Sequence, residues 1–168
     1  MMDSVGWQKM SKRSWIANHR RTDWIRWVDV DANRFAHFDT YLRLMEETEY
    51  SFLRHCGLSV VLHDEKGTIG FPRLSVRLSI ERPVGFDERV ETRLGRVEVD
   101  GKQITYHFEM VDDAGDPVAA GRFAVACCRF PAQAPPYAIL TPEFVLQSLS
   151  DACRHHPPAE TCKEPTHE

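Results

Sequence analysis

From Phe38 to Cys56, apolar side chains return at three- and four-residue steps: Phe38, Tyr41, Leu42, Met45, Phe52, Leu53 and Cys56. That rhythm is helical. Arg43, Glu46, Glu47, Tyr50 and Arg54 fall on the other side, where Arg43 and Glu47 form an i,i+4 charge pair. Asp39 or Thr40 can cap the start, and Gly57 can close the end in left-handed geometry. A helix of about four to five turns follows, with an apolar face broad enough to require wrapping by other elements.

What surrounds it is written in the rest of the chain. Residues 71–80, 89–99, 102–111 and 118–130 are runs rich in Val, Ile, Phe, Leu and Thr, separated by Pro or Gly. Asp100-Gly101 and Ala114-Gly115 predict hairpins, and so antiparallel pairing. Residues 21–30 carry Trp24, Ile25, Trp27, Val28 and Val30 and predict a first strand; residues 29–37 predict a turn. Thr141, Pro142 and Glu143 open a short helix to about Leu149. Residues 1–20 read as an N-terminal arm and 151–168, rich in Pro, His and Glu, as a disordered tail. The order is α+β: strand, long helix, then an antiparallel sheet that can cover that helix by curling.

The 168 residues suit one domain, over 21–150. No apolar run reaches the roughly 20 residues of a membrane span, and nothing at the start reads as a secretory signal. A net charge of −4 argues against nucleic acid. Five cysteines lack a framework spacing, with Cys127 and Cys128 adjacent in an apolar run. They read as buried small hydrophobes in a reducing compartment, hence a cytoplasmic location. Cys153, His155, His156, Cys162 and His167 match no zinc spacing, so no metal is expected.

The chemistry lies in the segment before the long helix. Asp29 and Asp31 stand just after the predicted strand, and His37 just before the helix. A helix start offers unpaired N–H groups to an oxygen gaining negative charge. A nearby carboxylate can activate water or attack an acyl carbon. The competing reading is a carboxylate that only holds turn amides.

The run Asp-x-Asp-x-x-x-x-x-His-Phe-x-x-Tyr-Leu-Arg, followed by Glu46, Glu47, Phe52, Leu53 and Gly57-Leu58, resembles the 4-hydroxybenzoyl-CoA thioesterase-like branch of the hotdog superfamily, over residues 21–145. The resemblance implies a hotdog fold, a curled antiparallel sheet wrapped around one long central helix, assembled as homodimers or homotetramers. It implies hydrolysis of acyl-CoA thioesters, or of acyl carrier protein thioesters, with coenzyme A present only as part of the substrate and no other cofactor. Asp31 falls on the family's catalytic carboxylate, and His37 on a position facing the site. Phe38 and Asp39 supply the helix-start amides, with Asn33 and Tyr41 beside them. Arg96 and the turn at Gly101 and Lys102 are candidates for the CoA phosphates, with Arg73 and Arg77, alternating along one strand face, a second choice. Two departures stand out. Arg34 replaces the usual glycine, which is costly if its φ is positive, although Asn33 can take over the turn. Asp39 replaces a small residue or Pro.

Two rival functions share this fold. A hotdog hydratase places His five positions after its Asp; here His37 follows Asp31 by six. A non-catalytic acyl-CoA-binding protein would fit the departures at Arg34 and Asp39.

Overall fold

The computed structural model describes residues 12–154. Five antiparallel strands form the main sheet, in the order β1-β5-β6-β7-β4. These are β1 (Arg13–Trp24), β4 (Arg73–Ile80), β5 (Arg89–Asp100), β6 (Gln103–Val111) and β7 (Pro117–Ala126). Helix α1 (Phe38–His55) packs on it, burying Tyr41, Leu44, Met45, Phe52 and Leu53. Val90, Leu94, Val97, Ile104, Tyr106, Phe108 and Phe123 meet them from the sheet.

The end of α1 follows the expected chemistry closely. Gly57 has φ +71. Its amide donates to the Arg54 carbonyl at 3.0 Å, and the Leu58 amide to the Leu53 carbonyl at 2.8 Å. This is the paired 5→2 and 6→1 bonding of a Schellman motif, with buried Leu58 and Leu53 as its apolar contact. The start differs from expectation. The cap position is His37, and no side chain caps it.

The first strand lies earlier than the sequence suggests. β1 begins at Arg13, within the expected arm, and ends at Trp24; Trp27–Asp29 is a 3-10 turn. The β1 period is hidden by a bulge, where the register with β5 shifts between Ile16 and His19 and Asn18 takes φ 47. The apolar residues that suggested a later strand are mostly surface: Trp27 is 68% and Val28 73% exposed.

A second sheet, β2-β3-β8-β9, lies outside the expected layout. Its strands are β2 (Val61–Asp64), β3 (Gly67–Gly70), β8 (Cys128–Phe130) and β9 (Tyr137–Ala138). The expected run 118–130 divides at Cys127, whose amide donates to the Lys102 carbonyl at 2.7 Å. Cys127 is fully buried, and burial pushes its thiol up to about 11. Helix α2 (Glu143–Arg154) runs past Leu149 and buries Val145, Leu146 and Leu149 in the same core. The expected tail therefore starts inside a helix, and residues 155–168 lie outside the described residues, as do 1–11.

Gly121 on β7 shows how closely helix and sheet approach. A Cβ there would stand 2.8 Å from the Arg77 carbonyl oxygen and 2.8 Å from the Met45 sulfur. Met45 can move, but the backbone oxygen cannot. Gly121→Ala should lower unfolding free energy by about 1–3 kcal/mol, read as a reduced denaturant midpoint with an unchanged m-value.

Candidate active site

The link between β1 and α1 is a short closed loop. Val30 and Ala36 form an antiparallel bridge, and Phe35 bridges to Gly85. The Asp31 amide donates to the Phe35 carbonyl at 2.9 Å, the Ala36 amide to Val84 at 2.8 Å, and the His37 amide to Asp29 at 2.8 Å. The turn forces one residue into the left-handed region, and that residue is Arg34, with φ 68, not Asn33. Gly85 is needed opposite it, since a Cβ would meet the Arg34 carbonyl at 3.2 Å.

Asp29 and Asp31, two residues apart, have opposite surroundings. Asp29 is 5% exposed. The Arg26 Nε and amide both donate to its Oδ2 at 2.9 Å, and Arg43 donates to its Oδ1 at 2.9 Å. Burial alone would raise its pKa, but the Arg26 hydrogen bonds and Arg43 outweigh burial and hold the carboxyl below its ordinary range. Its carbonyl also accepts from the Thr40 hydroxyl at 3.0 Å. Asp29 is a clamp.

Asp31 sits on the half-exposed tip of the loop. Its Oδ1 accepts from the Asn33 amide at 2.8 Å and the Phe35 amide at 3.2 Å. Its Oδ2 has only a 3.5 Å contact from the Asn33 Nδ2. The Phe35 amide is the largest influence holding its pKa below the ordinary value, followed on the same side by Asn33 and by nearby His37. The turn-holding role is present, and it leaves Oδ2 largely unengaged.

Beside this loop a cavity of about 380 Å³ opens over the first turns of α1, within the size range of small-molecule sites. His37, Asp39, Thr40 and Arg43 line it from the helix start; Leu42, Val28, Val76 and Phe123 form apolar walls. Glu46 and Arg73 close one side, joined at 3.1 Å. Arg73 also pairs with buried Glu49 at 2.5 Å and lies 4.1 Å over the Phe123 ring. Sequence reading did not single out Arg73 as a wall of this cavity, because a register shift between Arg73 and Ser75 turns it inward. The same shift separates it from Arg77, so the two do not share a face.

The other expected residues divide. His37 and Asp39 line the cavity together with Asp29, whereas Asp31 does not. Phe38 is 59% exposed beside it. Asn33 stays on the loop tip. Tyr41 is in the core, not at the cavity wall; its hydroxyl accepts the Val84 amide at 3.2 Å and anchors the loop from below. Arg96, Gly101 and Lys102 are not brought to the cavity. They lie toward the hairpin end of β5, where the Gly101 carbonyl accepts the Thr141 amide at 2.9 Å. Among the described residues, no group of three or more His, Cys, Asp and Glu stands close enough to hold a metal ion.

The sequence of residues 25–149 matches the family model of the thioesterase-like superfamily. The chain belongs to that superfamily. No curated protein matches it. Among solved structures, it is similar to a 1,4-dihydroxy-2-naphthoyl-CoA thioesterase from Synechocystis, with 13% identity, TM-score 0.67, and 83% of this chain and 97% of that one covered. A gentisyl-coenzyme A thioesterase shares 20% identity over 77% of this chain and 98% of its own, with TM-score 0.64. The dynemicin thioesterase shares 19% identity over 80% and 96%, with TM-score 0.63. These likenesses identify the fold: a hotdog-type thioesterase fold, an antiparallel sheet with a helix against it.

Two variants of this superfamily member separate clamp from strain. Asp29→Asn should cost about 2–3 kcal/mol at neutral pH, less than a fully buried pair because both guanidiniums keep some solvent. A depressed native pKa stabilises above the unfolded value of about 3.9 and is lost as pH falls through the native one. The acid limb of stability should therefore flatten in Asp29→Asn, as followed by urea unfolding across that range. Arg34→Gly should raise stability by about 0.5–1 kcal/mol, the left-handed strain of roughly 1–2 kcal/mol partly offset by glycine entropy; thermal melts will show it.

Proposed function

We propose that this protein hydrolyses acyl-CoA thioesters, with Asp31 as the catalytic carboxylate. The observation that carries the reading is the uncapped start of α1 opening into a cavity lined by His37 and Asp29, two residues before the ionised carboxylate of Asp31. The Phe38 and Asp39 amides, with the positive end of the helix dipole, would hold the thioester oxygen as it gains charge. His37, at the cavity wall, would orient water or the carbonyl. As a general base, Asp31 Oδ2 takes a proton from water, hydroxide adds to the carbonyl carbon, and collapse expels the thiolate, which recovers the proton. As a nucleophile, the same oxygen bonds the acyl carbon, the C–S bond breaks, and water hydrolyses the anhydride. Both routes use only side chains, amides and water, so the reading includes no metal or organic cofactor.

The finer architecture belongs to the same reading: a sheet curled around α1 as central helix, and a homodimer or homotetramer in the cytoplasm. Among the described residues β4 has no strand on its outer edge, and Leu74, Val76 and Ile80 are exposed along it. Trp27, Val28, Phe35, Phe38 and Phe86 are exposed around the loop. An open edge and apolar patch of this kind suit a second copy, and the cavity would then lie in a groove between subunits. Arg96, Gly101 and Lys102 would contact the CoA phosphates where a second copy brings their hairpin to that groove. No described helix is long and apolar enough to cross a membrane, and neither membrane nor nucleic acid enters the proposal.

A second reading, a non-catalytic acyl-CoA-binding protein, is favoured by one observation: Asp31 does not line the cavity. Release of free thiol from a panel of acyl-CoA esters separates the two, because a binder releases none. Asp31→Asn should lower kcat about 10²- to 10⁴-fold with the fold intact, and near-normal turnover would discard the assignment. Because the carboxyl is held below its ordinary range, the acid limb of kcat/KM should fall below the usual carboxylate pKa of about 3.9.

A further inference from the structure

A row of alternating charges runs from the cavity into the core. Arg26, Asp29, Arg43, Glu47, Arg21 and Asp23 are joined in that order, at 2.9, 2.9, 2.9, 2.8 and 2.8 Å. Asp29 and Arg43 line the cavity. Asp23, at the far end, stands next to the last residue of β1 with its side chain only 11% exposed. One nitrogen, Arg21 Nη2, serves both Asp23 Oδ1 and Glu47 Oε2. The other oxygen, Asp23 Oδ2, is buried and has no hydrogen-bond partner among the described residues. The same holds for the hydroxyl of fully buried Thr92, which stands on β5 opposite Arg21. Buried polar atoms are nearly always paired, so an orphan calls for an explanation. An ion pair that only secured the edge strand would account for Oδ1 and would leave Oδ2 facing water.

We propose that Asp23 is a positioning residue for the cavity, acting through Arg21 and Glu47 to set the place of the Arg43 guanidinium against bound substrate. Resting on the thioesterase reading, this adds Arg43 to the groups that hold the ester. A guanidinium has more N–H donors than the bonds to Glu47 and Asp29 use, and Arg43 offers the remainder to an oxygen in the cavity. While Asp23 is ionised, Arg21 is divided between two carboxylates, and Glu47 holds Arg43 with its other oxygen. Once Asp23 Oδ2 takes a proton from solvent, Arg21 passes wholly to Glu47, which then grips Arg43 less firmly. Burial pushes the Asp23 carboxyl above its ordinary range; Arg21 opposes that shift, Glu47 adds to it, and Arg43 opposes it. Arg26 is the other charge that senses Asp23. Val90, opposite Asp23 on β5, carries none.

The test uses the full chain and its acyl-CoA esters. Asp23→Asn keeps the shape and removes the charge; KM should rise about three- to ten-fold while kcat changes by less than about two-fold. Glu47→Gln, which breaks the row in the middle, should do the same, and the double variant should be no worse than either single one. In the wild type, kcat/KM should fall by that same factor as pH drops through the native ionisation of Asp23. This step lies above the usual carboxylate pKa of about 3.9 and should be absent from Asp23→Asn. The Arg43 Nε–H resonance, followed by NMR on the protein alone, should move with the Asp23 carboxyl titration and stay still over that range in Asp23→Asn. Additive losses, or an Arg43 resonance that ignores Asp23, would overturn the proposal and leave Asp23 a structural ion pair. If the wild type hydrolyses no ester, the thioesterase reading fails, while the Arg43 resonance still decides whether Asp23 positions it.

Discussion

The buried carboxylate of Asp29 is the joint on which the candidate site depends. Its side chain gathers Arg26 from before the 3-10 turn and Arg43 from one turn into α1. Its carbonyl takes the His37 amide and the Thr40 hydroxyl. One residue thereby fixes where the strand side ends, how the loop returns and where the helix begins. Arg43 extends the clamp to Glu47, and Arg21 reaches Glu47 from β1 at 2.8 Å. Without that chain of charges, the loop carrying Asp31 would have little beyond a few backbone hydrogen bonds to define its position.

The two acids show how spacing along a chain converts to different chemistry. Asp29 faces inward, where a carboxylate survives only with charged partners. Asp31, two positions on, faces the solvent side of a turn and interacts mainly with amides. Both are held ionised, but only Asp31 keeps an oxygen largely unengaged. Tyr41 and Gly85 support the arrangement from beneath, and Arg34 accepts a strained backbone to close it.

Much of this was legible before any coordinates. The period of α1, its glycine end, the antiparallel runs and the acid pair with His37 are local signals, and local signals survive folding. The misreadings have separate causes. β1 was obscured because the bulge at Asn18 breaks its alternation, and Trp27 and Val28 imitated a strand although they are surface residues. The β2–β3 hairpin was signalled by Asp64 and Gly67, with the Lys66 amide bound to the Asp64 carboxylate at 2.8 Å, but its strands are too short to show a period. Arg73 was hidden for a different reason: a one-residue shift in β4 sends it to the opposite face from Arg77, and register lies in pairing that a linear pattern does not record. Tyr41 was placed beside the site by the family resemblance and belongs to the core by burial.

The missing cap on α1 bears on folding as well as on the proposed catalysis. A helix that begins without a side-chain acceptor leaves its first amides short of partners, so an oxygen arriving from a bound molecule would complete the secondary structure as well as occupy the site. Occupancy and folding are then coupled through the same few N–H groups, and a ligand lacking that oxygen would fill the space without steadying the helix.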